Sequence, residues 1–197
     1  MMKNRTSRGS ASPDSRRMTK YKTLALAFSY PTDKALKSEY DRLFRSSEIW
    51  LYGAEYAAEN EFQRAQALAD INGFYKAFGV KPDGDRPDSL SCELEFMHYL
   101  IFKQLHAPDK ARAAVCLDAG GKFFAEHLYP AGKRVAEKII SQGAQSGFYR
   151  EAAEELLEFL ESERHVIARR PKADEAIPPH GDCFGHFVPS QRHSYKT

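Results

Sequence analysis

Apolar residues return every third or fourth position along most of this chain, and no segment alternates apolar with polar. That period belongs to helices with one buried face, not to half-buried strands. The clearest stripe is Leu90, Leu94, Met97, Ile101 and Leu105, widened by Phe96 and Leu100. Further helices are expected over Met18–Tyr30, over the segment after Pro31 with Leu36, Tyr40, Leu43 and Phe44 inward, and over Ala54–Phe78. In the last, Phe62, Ala65, Leu68, Ala69 and Ile71 face the core and Gly73 marks a kink. Pro108–Tyr129, interrupted at Gly120–Gly121, Pro130–Gln142 and Phe148–Ile167 complete the set. Phe148–Ile167 turns Ala152, Leu156, Leu157, Phe159 and Leu160 inward and a glutamate-rich face outward. The fold class is therefore all-α: a single-domain bundle of roughly six or seven helices with disordered N- and C-terminal tails.

The boundaries follow from composition. Residues 1–17 are Ser/Arg-rich without periodicity and read as a disordered leader, with Met18 as an alternative start. Residues 18–168 form the helical domain, and 169–197 form a flexible tail containing Pro and His. Inside the domain, "GVKPDGDRPD" packs prolines, glycines and aspartates into one turn-forming stretch. Pro87 stops any preceding helix, and Asp88 or Ser89 can cap the next one. Thr32 or Asp33 offers the same service to the second helix. No repeat of fixed period is present.

Charge is abundant and mixed, with 28% charged residues and a net charge of only +2, which is not the strongly basic surface of a nucleic-acid binder. Three cysteines without C-x-x-C spacing give no disulfide framework and fit a reducing cytoplasm. No apolar run reaches the ~18–20 residues that span a bilayer. Arg16 and Arg17 precede an apolar run, as in an export signal, but that run (Leu24–Phe28) is short, Lys20 and Lys22 crowd it, and Pro31 and Asp33 follow it.

Motifs for covalent chemistry are lacking. There is no phosphate-binding G-x-x-x-x-G-K-[ST] loop, no dinucleotide fingerprint and no G-x-S-x-G elbow. "DAGGKFF" (Asp118–Phe124) reads as a helix break. His180, Cys183, His186 and His193 in the tail are metal-binding residue types, but their spacing matches no closed zinc site. Glu95 and His98 share a helix face, yet a di-iron bundle site needs that motif twice with added glutamates.

The segment "DRPDSLSCELEFMHYL" (Asp85–Leu100) remains. Its apolar stripe is a bundle helix. Its beginning gathers Asp83, Asp85, Asp88, Glu93 and Glu95, carboxylates that would attract a basic peptide, arginines above all. Apolar neighbours would cover a hydrophobic segment of the same peptide.

That segment also resembles the signature of the TorD/DmsD/NarJ family of molybdoenzyme chaperones, E-x-P-D-H followed by an E-L-E-F-M helix. "LALAFSYPTDKAL" (Leu24–Leu36) and "FFAEHLYPAGKRVAEKI" (Phe123–Ile139) resemble two further family segments. "DINGFYKAFGV" (Asp70–Val80) is similar to members that accompany periplasmic DMSO-reductase-like complexes, and the likeness spans roughly Thr19–Ile167. It implies a cytoplasmic, non-enzymatic, system-specific chaperone, monomeric or homodimeric. Its partner would be the apo catalytic subunit of a molybdopterin-containing oxidoreductase, gripped through its twin-arginine signal peptide while cofactor is inserted. It implies no resident cofactor, with weak guanine nucleotide binding reported for some members. Carried over residue by residue, the family positions are Asp85, Pro87, Asp88 and Ser89, the last departing from the family histidine; with Glu95 and His98 of the following helix they make the candidate peptide-binding set. The alternative reading is a helical regulatory or ligand-binding module, or a weak GTP-binding protein.

Overall fold

The computed structural model describes residues 12–82, 86–143 and 147–169. Within them the chain is helical, with no β-strand and one isolated antiparallel bridge between Tyr52 and Ser89. The α-helices are α1 (Pro13–Phe28), α2 (Lys34–Tyr40), α3 (Ala54–Ala57), α4 (Glu61–Ala77), α5 (Leu90–Leu105), α6 (Lys110–Phe123), α7 (Tyr129–Lys138) and α8 (Phe148–Ala168). Three π-helical turns, Asp41–Arg45, Phe124–Leu128 and Ile139–Gly143, extend α2, join α6 to α7 and extend α7. Seven continuous helical stretches result, as the periodicity requires.

Helix α5 is the centre. Leu90, Leu94, Phe96, Met97, Tyr99, Leu100 and Ile101 are all buried, so its apolar surface wraps most of its circumference. Helix α1 lies along it and contributes Tyr21, Leu24, Ala25 and Phe28, while α6 flanks it and α7 pairs with α8. Phe123 of α6 meets Phe74 of α4 at 5.3 Å and Phe96 of α5 at 4.8 Å, edge to face, which locks these three helices together. Each such buried side chain contributes about 1.5–3 kcal/mol relative to exposure.

Helix starts obey side-chain capping. Asp33 accepts from the amides of Ala35 and Leu36, Asn60 from Gln63, Ser89 from Cys92 and Asp109 from Arg112. The first helix begins earlier than expected. Ser12 caps it and Pro13 occupies its first turn, so residues 13–17, assigned above to a disordered leader, are helical. The expected Ala54–Phe78 helix is two helices, because Asn60 adopts an extended backbone and caps α4 afresh. Of its expected inward face, Ile71 is buried, whereas Phe62 is 80% exposed and Ala65 and Ala69 are also exposed. Gly73 lies inside an uninterrupted α4, and Gly120 and Gly121 do not break α6; the ladder changes at the π-turn that follows. "DAGGKFF" thus lies within a helix, where Lys122 pairs with Asp118 at 3.0 Å.

Candidate functional site

The loop before α5 is held on three sides. Leu90 N–H donates to the Leu51 carbonyl at 2.8 Å, and Gly53 N–H to the Asp88 carbonyl at 2.9 Å. Tyr75 Oη donates to the Pro87 carbonyl at 2.8 Å from within α4. These bonds bring the Leu51–Glu55 stretch beside residues 86–90. Gly53 also lets this stretch close on α7 and α5: a Cβ there would lie 2.9 Å from Ala131 Cβ and 3.4 Å from Glu93 Oε1.

Asp88 sits at the junction and is 0% exposed. Its Oδ2 accepts from Ala54 N–H at 3.1 Å, so a residue of the α5 loop caps the start of α3. The Arg86 guanidinium grips the same carboxylate with both prongs, Nε to Oδ1 and Nη2 to Oδ2, each at 3.0 Å. Nη2 also donates to Glu55 Oε1 at 3.1 Å, and Glu55 Oε2 meets Arg64 Nη2 at 3.0 Å. The guanidinium carbon lies 3.9 Å from the centre of the Tyr52 ring, within cation–π range. The hydrogen bond to Asp88 pushes the Arg86 pKa up, so its charge is permanent.

Behind this cluster, Glu93 in the first turn of α5 is 1% exposed, and among the described residues neither of its carboxylate oxygens has a hydrogen-bond partner. Burial, then the neighbouring charge of Asp88, pushes its pKa well above the ordinary 4.5. Burial of that kind disfavours the charged form of the carboxyl. Tyr75 is also pushed up, by its burial and then by Glu93.

The expected site residues separate into two groups. Pro87, Asp88 and Ser89 belong to this cluster, and Asp85 lies outside the described residues. Asp88 was expected on the open rim of a groove; it is instead buried beneath Arg86, because an ionised carboxylate out of water needs a charged partner. Glu95 and His98 turn toward α1. Glu95 forms an ion pair with Lys22, and His98 Nδ1 bonds the Met18 carbonyl at 2.9 Å. The pair fastens one helix to another and does not converge with Asp88. The tail residues His180, Cys183, His186 and His193 lie outside the described residues. Among the described residues, Asp70, Glu126 and His127 place one ligand atom each within 4.8 Å of one another, but His127 Nε2 already bonds Asp70 Oδ2 at 2.9 Å.

Residues that the sequence reading missed are Tyr52, Glu55, Arg86 and the unpartnered state of Glu93. Arg86 and Glu55 are 31 positions apart, and no motif links them.

The sequence matches the family model described as the nitrate reductase delta subunit over residues 12–134, well over half the chain. The chain belongs to the nitrate reductase delta subunit family. This is the family of NarJ/TorD-type chaperones that act in molybdoenzyme maturation, as the signature around Asp88 implied. A search of curated proteins found no match. The nitrate reductase delta subunit match takes in α1 through α6 and the whole Arg86–Asp88–Glu55 cluster, and it ends within α7.

Proposed function

We propose that this chain is a cytoplasmic chaperone that binds the arginine-bearing signal peptide of the apo catalytic subunit of a molybdenum oxidoreductase and holds that subunit until its cofactor is inserted. The role is recognition, without covalent chemistry and without a resident cofactor; the molybdenum cofactor belongs to the client. One observation carries the reading. The family signature Pro87-Asp88 forms, with Glu55 and Tyr52, a seat whose chemistry suits a guanidinium: two carboxylates placed for a planar fork and an aromatic ring for its face. No helix among the described residues is long and apolar enough to cross a membrane, which is compatible with action before export.

Calorimetric titration tests it. The probe is a synthetic peptide with two adjacent arginines ahead of a leucine-rich run, against a twin with lysines in their place. The parent protein binds the arginine peptide about tenfold more tightly than the lysine twin, because an ammonium lacks the fork. Glu55→Gln weakens the arginine peptide selectively, and added salt weakens it in the parent. Equal affinity for both peptides, or none for either, removes the reading.

A further inference from the structure

The Arg86–Asp88–Glu55 cluster has an unusual property for a binding site: it is already full. Asp88 has no exposed surface, and the group that covers it is the Arg86 side chain, itself 35% exposed. Every element expected of a bound arginine is satisfied from within: both carboxylate oxygens by one fork, a second carboxylate by the shared Nη2, and the ring face of Tyr52 beneath. An external arginine cannot reach Asp88 while Arg86 stays in place.

We propose that Arg86 is an internal stand-in for a client arginine, and that client binding is an exchange of one guanidinium for another on the seat formed by Asp88, Glu55 and Tyr52. The proposal rests on the functional reading above and adds its regulation. Exchange keeps the buried carboxylate paired throughout, which avoids the heavy cost of exposing Asp88 alone to an apolar surround. It also selects. A ligand able only to equal Arg86 gains nothing, whereas one that brings further donors does. The cluster has an acceptor left over for such a ligand: among the described residues neither oxygen of Glu93 has a partner, its Oε1 lies beside Gly53, and even as the acid it keeps a carbonyl oxygen that can accept. Two adjacent arginines supply the extra donors; a single arginine on an unrelated peptide does not. The internal competitor therefore screens out chance arginines at the expense of some affinity, by the fraction of time the seat is occupied from within.

The experiment compares parent, Arg86→Ala and Arg86→Gln. Gln keeps an amide donor for Asp88 and guards against simple misfolding of the alanine variant. Each is titrated with the double-arginine peptide and with a single-arginine version, and each is melted with and without millimolar guanidinium chloride against sodium chloride at equal ionic strength. Removal of the competitor tightens the double-arginine peptide roughly three- to tenfold and the single-arginine peptide at least as much. Guanidinium, but not sodium, raises the melting temperature of Arg86→Ala and leaves the parent unmoved. If the parent binds the double-arginine peptide but both variants bind it equally or more weakly, Arg86 is merely structural; the exchange is wrong and the functional reading stands. Binding by none of the three overturns the functional reading and the exchange with it.

Discussion

Arg17 and Glu163 lie 146 positions apart in the chain and clasp each other as a two-pronged ion pair, Nε to Oε1 at 2.6 Å and Nη2 to Oε2 at 2.7 Å. Tyr21 Oη donates to the same carboxylate at 2.9 Å, and Glu163 is buried. The first and last described helices are thereby joined. Glutamate that far inside a fold needs its partner. Arg17→Ala should lower the free energy of unfolding by about 3 kcal/mol in a urea titration, because it leaves a buried charge unpaired. Lys20→Ala, which removes the partly exposed pair with Glu155, should cost under about 1 kcal/mol. Equal effects would mean that the Arg17 clasp is worth no more than a surface pair.

Glu93 supplies a pH signature. Its folded pKa lies above the ordinary 4.5, through burial and then Asp88, while the unfolded chain releases the proton near 4.5. Between those values the native state binds more protons than the unfolded state, so stability falls as pH rises, by up to about 1.4 kcal/mol per pH unit. The contribution is fully present below pH 4.5 and is lost as pH rises toward the folded pKa. Glu93→Gln should be more stable than the parent at pH 7 and gain nothing near pH 4, as read from urea midpoints across pH. A gain of the same size at both pH values would show that ionisation is not the cause.

Asp88 has two duties that substitution can part. Asparagine keeps an acceptor for Ala54 N–H but gives up the charge that holds Arg86; alanine gives up both. Asp88→Asn should cost about 1–2 kcal/mol and Asp88→Ala about 1 kcal/mol more, the worth of a lost helix cap. Thermal melts of the pair would show it, and both should bind a double-arginine peptide more weakly than the parent.

Tyr75→Phe removes the hydroxyl that satisfies the Pro87 carbonyl and should cost about 1–2 kcal/mol. Phe62→Ser, on the exposed half of α4, should change stability by less than about 0.5 kcal/mol. The reverse order in chemical denaturation would place Phe62, not Tyr75, in the fold's interior.

The helices and their caps were legible because both are local: a 3.6-residue period, and Ser, Asp or Asn one residue ahead of it. Asp33 and Ser89 cap where their sequence neighbours said they could. The same locality explains the errors. Phe62, Ala65 and Ala69 make an apolar stripe whether or not any helix arrives to cover it, and among the described residues none does. Within the glutamate-rich helix α8, nothing near Glu163 in sequence marks it as buried or announces Arg17. The Asp88 half of the site could be read from its signature. Glu55, Tyr52 and the occupancy by Arg86 could not, because they arise where loops distant in the chain are hydrogen-bonded side by side.

Helix α3 is a single turn, too short to hold itself in water. Its first amide, Ala54 N–H, is retained by the Asp88 carboxylate, and its far side touches α7 through Gly53 against Ala131 and the Tyr56 carbonyl against Arg134. Whatever seats itself on Asp88 therefore also sets how firmly that turn is wound. The exchange rate of four backbone hydrogens, from Ala54 to Ala57, becomes an internal gauge of occupancy, readable without labelling the passenger.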